Sequence, residues 1–391
     1  YFCAVMSEFD DIRPYNDDEV QPTLMRLIND AEFLDTIASL KLPNWLKPVR
    51  SFFRPLVKKR LLHEVSGVDS VFAFQQRIEY YMGKILEKTI THLTISGLEK
   101  LDKNRAYLFM SNHRDISMDP AFVNWALFHG GYQTLRIAIG DNLLTKPFAS
   151  ELMRLNKSFI VNRSATAPRE KLKVAKKLSH YIQFSMHAER SNIWIAQREG
   201  RAKDGIDKTN PAIISMLALH KDKAQPFGEY IANSHIVPVS ISYEYDPCDS
   251  AKARELTLKA EEGKYLKGEQ EDVQSIAKGI TGYKGAVHLA FGEPLALGFE
   301  TVEQVTDALD QAIINNYVLH PSNCIAYEMQ YGKTPEVLVS AENKPFSADG
   351  FNQERAFFAQ RLSQCEERWK NQLIAAYANP VAAKLNTRHV G

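Results

Sequence analysis

Seven short strand-like runs, at 92–95, 106–110, 135–139, 159–161, 192–196, 237–242 and 287–291, limit the folds open to this chain. They are too short for ordinary helices, and several are continuously apolar. That is the pattern of strands covered on both faces in a largely parallel sheet. Amphipathic stretches alternate with them. Leu172, Ala175, Leu178, Ile182 and Met186 share one helical face, and Pro168 stands near the start, where proline suits a first turn. Such alternation specifies an α/β architecture, a mixed, mainly parallel central sheet flanked by helices. In sheets of this kind the working groups collect beyond the strand ends.

The outer segments read as helical N- and C-terminal extensions, giving regions 1–90, 91–300 and 301–391. Residues 1–40 carry Asp10, Asp11, Asp17, Asp18 and Glu19 and form an acidic helical preface. Residues 301–319 read as a helix. A last helix places Phe358, Leu362, Cys365, Trp369 and Leu373 on one stripe, a docking face. With 391 residues and 45% apolar composition, the chain can bury a sizeable core. Its net charge of +1 speaks against a general nucleic-acid binder. Cys3, Cys248, Cys324 and Cys365 lie far apart, so neither a disulfide framework nor a zinc site is indicated and a reducing compartment is favoured. The sequence opens at Tyr1, Met6 is a candidate start, and 1–5 is too short for a signal peptide. No apolar run approaches the ~18 residues of a membrane span.

The densest chemistry follows the second run. Ser111-Asn112-His113-Arg114-Asp115-Ile116-Ser117-Met118-Asp119-Pro120 places a histidine at a strand mouth, with carboxylates two and six positions on. Imidazole titrates near neutrality, and a carboxylate on one ring nitrogen leaves the other free to accept a proton. Asp119 precedes Pro120 and is the expected N-cap of a following helix, so its side chain returns towards His113. Asp115 is the other candidate partner. Alternative chemistries are poorly supported. There is no Gly-x-Ser-x-Gly elbow, no His-Glu-x-x-His pair and no dinucleotide fingerprint. Gly205-Ile206-Asp207-Lys208-Thr209 echoes a phosphate loop, but Asp207 stands where glycine is needed.

Four blocks in order resemble the glycerolipid acyltransferase family, which includes glycerol-3-phosphate and 1-acylglycerol-3-phosphate acyltransferases. Asn112-His113-Arg114 with Met118-Asp119-Pro120 resembles its Asn-His-x-Ser-x-x-Asp signature, although Asp119 lies six positions from His113 rather than five and Asp115 takes the place of the serine. Residues 157–163, ending in Arg163, are similar to the second block. Gln197-Arg198-Glu199-Gly200-Arg201 resembles the third, Phe-Pro-Glu-Gly-Thr-Arg, and the run containing Pro238 resembles the fourth. The resemblance spans roughly residues 85–300.

It implies transfer of a fatty acyl chain from acyl-CoA or acyl carrier protein, as co-substrate, to a hydroxyl of a phosphorylated glycerolipid, with no further cofactor and no metal. His113 would be the base and Asp119, with Asp115 as runner-up, would orient it. Arg163, Glu199, Gly200 and Arg201 would form the phosphate site, supported by Asn112, Arg114 and Pro238. A lipid or thioester hydrolase and a non-catalytic membrane-surface scaffold are the rival readings. Residues 45–62 add a membrane element. Lys47, Arg50, Arg54, Lys58, Lys59 and Arg60 alternate with Trp45, Val49, Phe52, Phe53, Leu56, Val57 and Leu61. A helix with basic and apolar faces suits an anionic lipid surface, although packing against the domain with a solvated basic face fits the same pattern. Pro48 is expected to open this helix and Pro55 to kink it. The implied location is peripheral, at the cytoplasmic face of a membrane.

Overall fold

The computed structural model describes residues 8–42, 44–268 and 271–388; Cys3 and the 1–6 start region lie outside them. The chain divides into two compact units, Tyr1–Gly83 with Arg136–Val174, and Lys84–Leu135 with Ala175–Gly391. All seven expected strands form: β1 (Ile90–Ser96), β2 (Leu108–Ser111), β3 (Arg136–Gly140), β4 (Ser158–Val161), β5 (Ile193–Ala196), β6 (Ile236–Tyr243) and β7 (Gly285–Phe291).

In the second unit the strand order is β1-β7-β6-β2-β5. Every pairing is parallel except β6 with β7. The mixed, mainly parallel arrangement therefore follows the apolar pattern. β2 lies between β6 and β5, and Leu108, Phe109 and Met110 are fully buried. Pro238 sits in β6 opposite Met110, at the point where the β7 ladder ends at Val239. A residue without an N–H is tolerated there, and its carbonyl accepts from Gly292 N at 2.8 Å.

Behind β6 the C-terminal helices close the core. The helix Val302–Asn316 starts where Thr301 and Gln304 satisfy each other's backbone N–H groups, a capping box. The single last helix expected from the apolar stripe is two helices, Asn352–Ser363 and Glu367–Arg388, broken near Cys365. The stripe still does what its pattern implies: Phe358, Leu362, Cys365 and Leu373 are buried together, with Trp369 packed at their edge.

In the first unit β3 and β4 pair in parallel. The acidic preface forms the helices Asp17–Asn29 and Ala31–Lys41, with Asp17, Asp18 and Glu19 in a first turn, where a helix N-terminus favours negative charge. Val20, Leu24, Leu27, Phe33 and Leu155 form its core. Residues 45–62 are not one kinked helix. Asn44–Phe53 is a 3-10 segment interrupted at Val49 (φ −105°, ψ 18°), and a separate α-helix runs Arg54–Glu64 with Pro55 in its first turn. Proline opens that helix instead of bending it, because the first turn needs no donor at its position.

Candidate active site

β2 ends at Ser111, and the next residue is locked into the sheet by its side chain. Asn112 Oδ1 accepts from Ile241 N at 2.8 Å, and its Nδ2 donates to Ile241 O at 3.0 Å and to Asp207 Oδ2 at 3.1 Å. An amide that imitates a strand residue thus anchors the chain immediately before His113. The His113 carbonyl accepts from Ala202 N at 2.8 Å, which brings the 199–201 turn beside it. Its ring meets the buried Trp194 edge to face at 5.8 Å.

His113 Nδ1 lies 2.9 Å from Asp119 Oδ2. The same oxygen accepts from Arg114 N at 2.6 Å and Asp115 N at 2.9 Å, while Tyr243 Oη donates to Oδ1 at 2.6 Å. Asp119 has no exposed surface, so this set of donors is what makes a buried carboxylate tolerable. The carboxylate acts purely as an acceptor. Nδ1 then carries the proton, and Nε2 keeps the lone pair a base needs.

The two aspartates exchange one expected role. The helix Met118–His129 has Ser117 at its N-cap position, and Asp119 is already inside the first turn. Asp115 does the capping: its Oδ1 accepts from Ser117 N at 3.0 Å and Met118 N at 2.9 Å. Asp119 turns back over the loop to hold His113. Burial and the neighbouring Asp119 push the Asp115 carboxyl above the usual range. The other Asp115 oxygen faces Gly279, where a Cβ would stand 2.1 Å away, so any larger residue there would displace the cap.

Arg114 is buried beside the site. It donates to Asp207 Oδ2 at 2.6 Å and its guanidinium stacks over Tyr317 at 5.6 Å. Burial works against its charge, but Asp207 holds the guanidinium above its usual range. Asp207 belongs to the 205–209 segment that echoes a phosphate loop; here it pairs with a buried arginine. Gly205 in that segment has φ +77°, and a Cβ would stand 2.0 Å from Ala376 O in the last helix. Lys252 Nζ donates to Arg114 O at 2.5 Å and pairs with Asp246, whose carboxyl is held low by that lysine against the effect of burial. Arg114, Tyr243, Asp246, Lys252 and Tyr317 border a cavity of about 40 Å³. This has room for a water molecule.

Arg201 lies on the same side of the loop. Its Nη2 donates to Ser275 Oγ at 3.4 Å, and its Nη1 is buried without a hydrogen-bond partner among the described residues. Glu199 and Gly200 are exposed, and Gly200 has φ +73° with nothing within 4 Å of a would-be Cβ. The turn therefore needs glycine for its backbone and leaves open space above it. Arg163 belongs to the first unit, just past β4. Its N–H donates to Asp141 Oδ1 at 3.1 Å and its guanidinium overlies Gly140. Sequence reading missed Tyr243, Trp194 and Ser275, none of which has a local motif, and named Asp207 only to set aside a phosphate loop.

In the 44–64 segment, Trp45 is 76%, Phe52 82% and Leu56 65% exposed. The helix Arg54–Glu64 has no buried residue. The basic groups are partly committed: Arg54 makes a two-pronged bond to Asp35 at 2.7 and 2.6 Å, Lys58 donates to Asn29 at 2.7 Å, and Arg60 pairs with Glu64 at 3.2 Å. Among the described residues no helix is long and apolar enough to cross a membrane.

The class of protein follows from comparison at this point. Residues 92–242 match the family model Acyltransferase, a span that holds His113, Asp119, Arg163, the 199–201 turn and Pro238. That stretch is an acyltransferase domain, and the resemblance read from its four blocks agrees with the match. The solved structure of a 1-acyl-sn-glycerophosphate (LPA) acyltransferase, PlsC, from Thermotoga maritima is similar at a TM-score of 0.33 and 18% identity, over 74% of this chain and 92% of that one. No curated protein sequence matches the chain.

Proposed function

We propose that the protein transfers a fatty acyl chain from acyl-CoA or acyl carrier protein to the free hydroxyl of a (lyso)glycerophospholipid such as 1-acylglycerol-3-phosphate. The observation that carries this reading is the His113–Asp119 bond of 2.9 Å at the end of β2, inside the acyltransferase domain. An alcohol is a weak nucleophile at neutral pH. His113 Nε2 takes its proton as the oxygen attacks the thioester carbonyl. The tetrahedral intermediate collapses, the C–S bond breaks, and the imidazolium returns the proton to the departing thiolate. No acyl-enzyme forms, because the acceptor is itself the nucleophile. Asp119 stabilises the imidazolium between the two proton transfers. The reaction draws on no cofactor beyond the thioester co-substrate and on no metal.

Arg201, with its unpaired Nη1, holds the acceptor phosphate, since guanidinium donors match phosphate geometry, and Arg163 keeps the phosphate role that its sequence block implies. Gly200 supplies a backbone surface open to the substrate, and Glu199 orients a neighbouring arginine. The exposed Trp45, Phe52 and Leu56, with Lys58, Lys59 and Arg60, support peripheral binding to the cytoplasmic face of an anionic membrane. Mass spectrometry of products, with both donors offered against glycerol-3-phosphate and a panel of lysophospholipids, tests the assignment. Acylated acceptor supports it. Free fatty acid released without acceptor would make the protein a thioester hydrolase.

A further inference from the structure

We propose that Tyr243 is a positioning residue of this site, its hydroxyl holding the Asp119 carboxylate in the charge state and orientation that His113 needs. The inference rests on His113 acting as the base. Tyr243 is the last residue of β6 and stands one position beyond the span of the family match. Its Oη reaches Asp119 Oδ1 at 2.6 Å, a short bond, and the residue is only 5% exposed. The Phe122 ring packs edge-on against it at 5.7 Å and fixes its plane. Two positions earlier on the same strand, Ile241 clamps Asn112 through both its backbone groups. The end of β6 thus grips both neighbours of the histidine, the residue before it and its carboxylate.

The surroundings explain why a hydroxyl donor is needed. Asp115 and Asp246 both act on Tyr243 and disfavour negative charge there. Burial and Asp119 push the phenol well above its usual range, so Tyr243 stays a donor at any working pH. Oδ2 already takes His113 and two backbone N–H groups. Without the phenol, Oδ1 of a fully buried carboxylate loses its strong donor and the group gains a proton more readily. A neutral Asp119 cannot balance an imidazolium.

Tyr243→Phe removes the donor and keeps the ring. We expect kcat/KM to fall by about ten- to a hundredfold, the scale of one lost hydrogen bond to a charged group. The deprotonated pair depends more on the lost bond than the protonated pair does, so the acid limb of the pH profile should move to higher pH. In an Asp119→Asn background the same change should have little further effect, because its target is gone. Site-specific fluorotyrosine at 243, a stronger donor in an unperturbed fold, should move the limb the other way. An acid limb unmoved in both variants, or equal losses with and without Asp119, would overturn the proposal. His113→Ala run alongside separates the two claims: if it stays active, the base assignment fails; if it is inactive while Tyr243→Phe behaves as wild type, only Tyr243 fails.

Discussion

Replacing Asp119 by asparagine removes one buried negative charge and leaves the side-chain shape. The bonds show what survives. The amide oxygen in the Oδ2 place can still accept from Arg114 N, Asp115 N and His113 Nδ1. The amide N–H₂ then points at Tyr243 Oη, which can turn and accept. The stability cost is one weakened charge-assisted bond, about 1–3 kcal/mol. It exceeds that of a cap exchange, since the capping oxygens belong to Asp115. The kinetic cost is far larger. Two unit charges about 4 Å apart interact by roughly 4 kcal/mol at an effective dielectric constant of 20. Lost from the transition state, that corresponds to about a thousandfold in rate. Asp115→Asn keeps a capping oxygen and should cost less than tenfold, a bound set by its lack of a bond to His113. Transfer rates and melting temperatures of both variants, measured side by side, decide the matter. Near-normal turnover in Asp119→Asn with collapse in Asp115→Asn would refute the assignment.

Further outcomes follow from other parts of the molecule. Arg201→Ala and Arg163→Ala should each weaken acceptor binding by about 1.5–3 kcal/mol and donor binding less, as read from the two KM values. Neutralising Lys58, Lys59 and Arg60 together, or changing Phe52 to Ser, should reduce sedimentation with anionic vesicles, and added salt should reproduce only the first effect. Unchanged binding in both would assign residues 45–62 to another task. His288 and His320 are buried, and burial pushes each down to about 4. The fold keeps them neutral while the unfolded chain takes up protons near pH 6.5, so stability should fall as pH drops from about 6.5 towards 4. The loss should reach up to about 3 kcal/mol for each histidine. His320 stands at the N-cap of the helix Pro321–Tyr331, so His320→Asn, which also caps well, should flatten this slope in a urea titration series.

The strands were legible because buried parallel strands are written as continuous apolar runs, and 106–110, all buried, is the clearest example. The His113–Asp119 pair was legible because both residues belong to one local loop. The cap was not. Asp115 and Asp119 have the same chemistry, and only the backbone path decides which one meets the helix N–H groups and which folds back. Pro55 shows the same limit: a helix boundary one residue away changes proline from a kink to an opener. Asp207 and Tyr243 reach the site from 94 and 130 positions beyond His113, and a single sequence holds no local sign of such contacts.

Whether His113 is the base is decided by His113→Ala. The fold should survive, because Asp119 keeps its backbone donors and Tyr243 when the ring is gone. Acyl transfer, followed by mass spectrometry of the acylated acceptor on protein with an unchanged melting temperature, should fall by about a hundred- to ten-thousandfold. Turnover close to that of the parent protein in a well-folded His113→Ala would contradict the mechanism.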